Sequence, residues 1–526
     1  AKFKYIIIVS LTLLLWRCAQ VAPLTGGLRD NQPPKLLNAI PQNISLNFNA
    51  KFIELTFDEY VQVKDIANQL VITPQLKNLP EVEVKGKKVI IQLSNTELLP
   101  NTTYRFFFGN SIQDMHEGNI LSNFEYVFST GNKIDSLMIK GKVINSMNLK
   151  SESDITVALY NINESDSVVW KQKPLYFTKS DGNGFFTLNY LPVGDFKAFA
   201  YSDKNKNLKY DGGEETVGFL NRVVNTTIDS SLTFLLFKER PTKYFIKKAF
   251  SPYYGLAKVI YNAEQDNTVQ AFNASQNNKL CFENGINDTC LIYYHEIFDT
   301  LKLVINHKDR AVVDTVKINL ITEEKFNRLK QENKLLTDVE LRPLINGMMP
   351  YYEAASLKFN TAMDFSSIDK AKISIMKKQD TVITKLSPQF KGENCDRLII
   401  SEKLVEDANY DIIIKAGAIK TKFGTLNDSV KISFRTSLPD DYASLNLKLL
   451  FPDKSDYVIQ LMNDKQELIR ELYYQQSISS SAEQVFTFKN LLPGNYFVKL
   501  IRDENKNKMW DTGNLIQKIQ PETVYL

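Results

Sequence analysis

Phe57-Asp58-Glu59-Tyr60-Val61, Asn101-Thr102-Thr103-Tyr104, Gly109-Asn110-Ser111-Ile112-Gln113-Asp114, Glu117-Gly118-Asn119 and Phe128-Ser129-Thr130-Gly131 follow one another through residues 53–131. The same order returns in residues 356–437 as Phe359-Asn360-Thr361-Ala362-Met363, Asp407-Ala408-Asn409-Tyr410, Ala416-Gly417-Ala418-Ile419-Lys420, Phe423-Gly424-Thr425 and Phe434-Arg435-Thr436. Around these landmarks apolar and polar residues alternate, as in Ile53-Glu54-Leu55-Thr56-Phe57 and Thr103-Tyr104-Arg105-Phe106-Phe107-Phe108. Alternation with period two buries one face of a strand, and turn clusters every 8–12 residues break the chain into short strands. An internal repeat of this kind predicts an array of similar units. The fold class expected is all-β, a tandem array of β-sandwiches.

A second repeat follows each copy of the first. Ile139-Lys140-Gly141-Lys142-Val143 and Asp181-Gly182-Asn183-Gly184-Phe185-Phe186 precede Leu191-Pro192-Val193-Gly194-Asp195-Phe196 and Asp203-Lys204-Asn205-Lys206-Asn207. Phe486-Thr487-Phe488, Leu492-Pro493-Gly494-Asn495-Tyr496 and Asp503-Glu504-Asn505-Lys506-Asn507 repeat the later part. The chain has 526 residues, 43% of them hydrophobic and including 32 Phe and 24 Tyr. That is too long for one core, since single cores stop growing near roughly 250–300 residues. It is also far from a disordered composition. A net charge of +4, with no basic block, argues against a nucleic-acid partner.

The first repeat resembles the bacterial Ig-like domain first named from S-layer proteins, with its "tFde.v" strand, "nttY" strand, "i.D..GN" turn and closing "F.T". The second resembles the carboxypeptidase regulatory-like, or transthyretin-like, sandwich, an accessory module without catalytic groups. The N-terminal residues give a signal peptide over 1–17 and a lipid-anchored tether over 18–32, and these resemblances imply an Ig-like domain over 33–132 and a regulatory-like domain over 133–240. Length and strand spacing alone give a divergent Ig-like sandwich over 241–342, and the repeats complete the order with an Ig-like domain over 343–438 and a regulatory-like domain over 439–526. Helical periodicity is confined to Glu323 through Leu336.

At the N-terminus, Lys2 and Lys4 precede the apolar run Tyr5 to Trp16, with Arg17 and Cys18 after it. The run is shorter than the ~20 residues a membrane span needs, so it reads as a signal peptide. Cys18 resembles a bacterial lipoprotein cleavage site with Leu15 at the usual leucine position, although Arg17 stands where that pattern has a small residue. Ala19 to Gln32 is polar and unpatterned, which suits a flexible tether. The resemblance implies lipid on Cys18 and an outer-membrane address of the kind common in the Bacteroidota. Ala19-Gln20-Val21-Ala22 has no acidic cluster of the type that accompanies surface export there, which favours the periplasmic face.

Cys281 and Cys290 flank Asn284-Gly285-Ile286-Asn287. A four-residue hairpin loop would set them opposite each other, either as a disulfide or as two buried thiols. Cys395 is left over and is expected to be buried and inert. His116, His295 and His307 are far apart, with no paired metal-ligand spacing. No Gly-x-Ser-x-Gly elbow or phosphate loop is present, so an enzyme is not expected. One constellation does have ligand spacing. Asp203, Asn205, Asn207, Asp211 and Glu214 fall at positions 1, 3, 5, 9 and 12 of an EF-hand-like loop, with the Lys209 carbonyl at position 7. Oxygen donors every second residue can wrap a structural Ca²⁺. Leu208 stands where such loops have glycine, so the turn should be made differently. Asp503, Asn505, Asn507 and Asp511 repeat the set with Asn514 in place of the closing acid, which predicts weaker binding. A polar turn without metal is the plainer alternative. The expected function is a non-catalytic scaffold or accessory lipoprotein that binds outer-membrane or periplasmic proteins, plausibly a barrel-assembly, transport or secretion machine. A surface adhesin or glycan-binding protein is the alternative.

Overall fold

The structure is a computed structural model that describes residues 30–526, apart from 242–243, 254–255, 263–268, 274–280, 284–287, 294–299, 308–311, 320–323, 326–327, 329–338, 380–381, 394, 423, 452 and 477–482. Cys18, the signal peptide and most of the tether lie outside the described residues, as does most of Glu323–Leu336. The described chain is a tandem array of β-sandwiches, and the α-helices that lie wholly within the described residues are single turns, Ile66–Gln69 and Val168–Lys171. It divides into two units. One holds the residues up to Asn145, Leu149–Phe237 and Leu515–Lys518; the other holds Ser146–Asn148, Lys238–Asn514 and Ile519–Leu526.

In the first sandwich, Leu36–Ile40, Phe52–Phe57, Lys88–Gln92 and Glu81–Lys85 form one antiparallel sheet in that order. Val71–Thr73, Thr103–Phe107 and Glu125–Ser129 form the facing one. The alternation in Phe52–Phe57 decides which side is inside: Ile53, Leu55 and Phe57 are fully buried, against Tyr104, Phe106, Tyr126 and Phe128 from the other sheet. Each such side chain contributes about 1.5–3 kcal/mol through burial.

The second copy in sequence is a second copy in topology. Val339–Arg342, Ser356–Phe359, Arg397–Ser401 and Gln389–Glu393 take the order of the first sheet. Ile373–Gln379, Asn409–Ile414 and Val430–Arg435 take that of the second, with Val382–Leu386 added at the edge.

The other repeated module also matches itself. Tyr176–Lys179, Ile155–Asn161, Asp195–Ser202 and Val217–Phe219 are ordered as Leu468–Tyr474, Asp456–Met462, Phe497–Asp503 and Val524–Tyr525. Leu137–Asn145 pairs antiparallel with Phe185–Leu191, as Ala443–Leu450 pairs with Glu483–Leu491. Between the halves, residues 246–319 form two further sheets around Ala257, Val259, Tyr261, Ile292, Leu301 and Ile318.

The cysteine pairing expected from the hairpin is not made. Cys281 stands opposite Tyr293 in the strand register, and Cys290 stands opposite Val259 on the neighbouring strand. The loop between the strands is therefore longer than the four residues assumed, which moves the two cysteines out of register. Cys290 is a free thiol buried in the core, and burial pushes its pKa up to about 11. Cys395 is buried as expected, but it is disulfide-bonded rather than left over.

Candidate functional site

The polar residues that the sequence singles out gather at the end of one strand in each copy of the second repeated module. Asp195–Ser202 and Phe497–Asp503 run at the centre of their sheets and deliver Asp203 and Asp503 to the mouth of a loop. Both carboxylates are nearly covered, at 7% and 1% exposure. A buried carboxylate has to be matched by donors, and here the loop backbone supplies them. Asp203 Oδ1 accepts from the Asn207 amide at 2.9 Å and Oδ2 from the Leu208 amide at 2.9 Å. Asp503 accepts from Asn507 at 3.2 Å and from Lys508 at 2.8 Å.

The correspondence extends through the loop. Asn205 Oδ1 accepts from the Asn207 amide, and Asn207 Oδ1 from the Lys209 amide. Asn505 and Asn507 do the same for the Asn507 and Met509 amides. The Nδ2 groups of Asn205 and Asn207 converge on Asp211 Oδ2 at 2.6 and 2.8 Å. Those of Asn505 and Asn507 converge on Asp511 Oδ2 at 2.6 and 2.5 Å. Leu208 does make the turn expected of glycine. Its φ is +60°, as is that of Lys206, and Lys506 and Lys508 have +64° and +68°. The expectation of a different turn is corrected: the left-handed conformation is kept, with a side chain in it.

The acid that closes each loop differs from the one that spacing selected. Glu214 is exposed, whereas Glu215 is buried at 4% and accepts from the Lys204 amide at 3.0 Å and the Asp211 amide at 2.8 Å. Gly212 and Gly213 both adopt positive φ, 71° and 62°, and turn the chain so that the next acid is the one facing in. In the second loop the closing acid is present after all. Glu522 accepts from the Glu504 amide at 2.8 Å and the Asp511 amide at 2.9 Å. Burial, with the charges of Asp511 and Asp503 adding to it, raises the Glu522 pKa against its backbone donors. Asp511 Oδ1 is further paired with the Arg240 guanidinium at 2.7 Å. Among the described residues no group of three or more His, Cys, Asp or Glu is gathered closely enough to hold a metal.

The Ig-like modules spend their polar groups in the same way. Tyr104 Oη accepts from the Leu99 amide at 2.8 Å, five residues back, and Tyr410 Oη accepts from the Val405 amide at 2.8 Å. Both are tyrosine corners. Thr130 Oγ1 accepts from the Thr102 amide at 3.0 Å and donates to the Leu99 carbonyl at 2.7 Å. Thr436 repeats this with Ala408 at 2.9 Å and Val405 at 2.6 Å. Tyr104 stacks on Phe128 and Tyr410 on Phe434, with centroids 5.4 and 5.3 Å apart.

Residues 30–130 match the bacterial Ig-like domain family. No curated protein matches the chain. Among solved structures, the chain is similar to the N-terminal part of the bacterial S-layer protein SbsC at 16% identity, over 39% of this chain and 44% of that one, with a TM-score of 0.14. SbsC domains 1–6 align at 11% identity over 94% of this chain and 67% of that one, TM-score 0.14. BcpA, the major pilin subunit of Bacillus cereus, aligns at 16% identity over 38% and 70%, TM-score 0.13. At these TM-scores none of the three fixes an activity or a partner for this chain.

Proposed function

We propose that this chain is a non-catalytic outer-membrane lipoprotein that works as a scaffold or accessory subunit for other envelope proteins. The observation that carries the reading is where the buried polar side chains go. Asp114, Asp203, Asp503 and Thr436 all bond the backbone of their own module's turns. Such bonds stiffen the ends of sandwiches, which is what a spacer requires; a catalytic site instead keeps polar groups available to a substrate. The test is fractionation of cells that make the full chain, with cross-linking in place. The expected result is outer-membrane fractionation that Cys18→Ala abolishes, together with a reproducible cross-linked envelope protein. Full release of the parent chain into the soluble fraction would overturn the anchor.

Calcium in the two loops belongs to the same proposal, as a stiffening ion. Its support is the hydrogen-bonded set of Asp203, Asn205, Asn207, Asp211 and Glu215 around one loop, repeated in the second half. As arranged, the asparagines turn their Nδ2 atoms toward Asp211, so metal binding requires both amides to turn over and present oxygen. Arg240 already neutralises part of Asp511, so the second loop is the weaker site. Millimolar Ca²⁺ should raise the melting temperature of the full chain, and Asp203→Ala should reduce that rise. Equal melting in calcium and in chelator leaves the loops as closed polar turns.

A further inference from the structure

We infer that a small cavity between the 133–240 module and the Leu515–Lys518 segment packed in the same unit captures the C-terminal residue of an extended peptide, its side chain on an apolar floor and its free carboxylate on a cationic rim. The cavity is about 150 Å³, and its lining residues all belong to the first unit. Phe199, Phe219 and Leu515 form the floor, and all three are at most 5% exposed. Lys197, Arg222 and Lys518 stand around it with a single acid, Asp166, so the lining carries three positive charges against one negative.

Asp166 does not repel an incoming carboxylate strongly. It is held by Lys197 at 2.8 Å and Lys518 at 2.7 Å, and these hydrogen bonds, outweighing burial, lower its pKa. Two of the cationic side chains reach water, with Arg222 at 54% and Lys518 at 60% exposure. Arg222 donates through Nη1 to Asp229 at 2.8 Å, and its planar fork has five N–H groups, enough to bind a second carboxylate. Size chooses the ligand. Pockets for drug-sized molecules are roughly 300–1,000 Å³, so this one holds about one medium apolar residue and is too small for a long acyl chain. Capture of a C-terminal carboxylate is an established mode of peptide recognition, and Arg–carboxylate hydrogen bonds are among the strong ones.

The second half provides an internal control. The strand position of Phe199 is taken there by Lys499, four residues before Asp503 as Phe199 is before Asp203, so the floor is interrupted by an amine. The inference deepens the scaffold reading by naming what a partner would present, and its test does not depend on finding that partner.

Acetyl-Ala-Ala-Leu with a free carboxylate, its C-terminal amide, and acetyl-Ala-Ala-Gly are titrated into the purified full chain by calorimetry. The free acid should bind about tenfold more tightly than either control, the effect of losing one charge-assisted bond or one buried side chain. Arg222→Gln with Lys518→Gln should weaken the acid by about tenfold and leave the amide unchanged, and Arg222→Lys should restore part of the loss. Equal binding of acid and amide, no binding of the acid at about 5 mM, or an acid that binds the double variant as well as the parent would each overturn the inference. Failure here with a cross-linked partner still present would leave the scaffold reading standing.

Discussion

Asp114 in the first Ig-like module holds its turn with four backbone N–H groups, whereas Thr421, in the matching turn of the second, holds one among the described residues. Asp114 Oδ1 accepts from His116, Glu117 and Gly118 at 2.8, 2.6 and 3.0 Å, and Oδ2 from Asn119 at 2.7 Å. Thr421 Oγ1 accepts from Thr425 at 3.2 Å. Each turn is closed by a backbone bond across it, Asp114 to Asn119 and Thr421 to Thr425. The second turn is one residue shorter, so it leaves fewer amides needing an acceptor and a hydroxyl suffices. The geometry of the turn sets how much polar chemistry it needs, and the rest of the sandwich is indifferent to which solution is used.

Asp114→Ala should break that comparison with the largest effect. It strands up to four N–H groups beside a fully buried position and should cost about 2–4 kcal/mol, since each unmet buried group carries a penalty of about 1–3 kcal/mol. Thr421→Val should cost about 1 kcal/mol. Chemical denaturation of the full chain, followed in each unit, distinguishes them. Acid adds a second reading. Burial raises the Asp114 pKa, but its four backbone donors outweigh this and the net shift is downward. A carboxylate with a lowered folded pKa stabilises fully above its unfolded value, about 3.9, and loses that contribution as pH falls through the folded value. The first module should therefore lose stability below about pH 4 in the parent and show a flatter acid limb in Asp114→Ala.

The tyrosine corners sharpen the comparison from the other side, because here the two copies agree. Tyr104→Phe and Tyr410→Phe each remove the acceptor for one upstream amide and should each cost about 1 kcal/mol. A difference of more than about twofold between them in double-jump denaturation would show that the two corners are not equivalent.

Much of this was legible in the residues. The recurrence of Asn-Thr-Thr-Tyr as Asp-Ala-Asn-Tyr, and of Phe-x-Thr at each end, gave the sandwich repeat because a corner needs tyrosine and threonine at fixed separations along one hairpin. The two Asp/Asn loops were legible up to Asp211 and Asp511 for the same local reason. Their closing acids were not. Glu215 faces in because two left-handed glycines advance the chain by one residue, and Glu522 arrives from a segment eleven residues beyond Asp511. The Cys281 register failed in the same way, since loop length fixes strand register and cannot be counted from flanking residues alone.

Lys499 marks a third difference between the halves. It is 7% exposed, its amine takes no hydrogen bond or ion pair among the described residues, and burial lowers its pKa. A lysine whose folded pKa is depressed binds fewer protons than the unfolded chain just below pH 10.4, so stability should rise with pH through that window. Lys499→Met keeps the length of the side chain and removes the buried amine. It should stabilise the second unit by about 0.5–1 kcal/mol near neutral pH and flatten the alkaline rise. A destabilised variant would mean that the ammonium has a favourable environment after all.

The smallest expected effect separates the two polar loops themselves. Leu208 and Lys508 hold the same left-handed φ, 60° and 68°, and such a conformation costs a side chain about 1–2 kcal/mol relative to glycine. Replacement by glycine removes that strain but adds about 0.5–1 kcal/mol of chain entropy to be lost on folding. The two terms nearly cancel, so contacts decide the sign. Lys508 is exposed, with its ammonium 5.1 Å from the Tyr473 ring, and gives up little. Leu208 is half-buried against the core that contains Tyr201 and Tyr210, and gives up apolar burial worth about 1 kcal/mol. Lys508→Gly should therefore raise the stability of its module by about 0.5 kcal/mol, and Leu208→Gly should lower that of its own by a similar amount. Equal shifts of one sign in the two melts would show that backbone strain, and not packing, governs both loops.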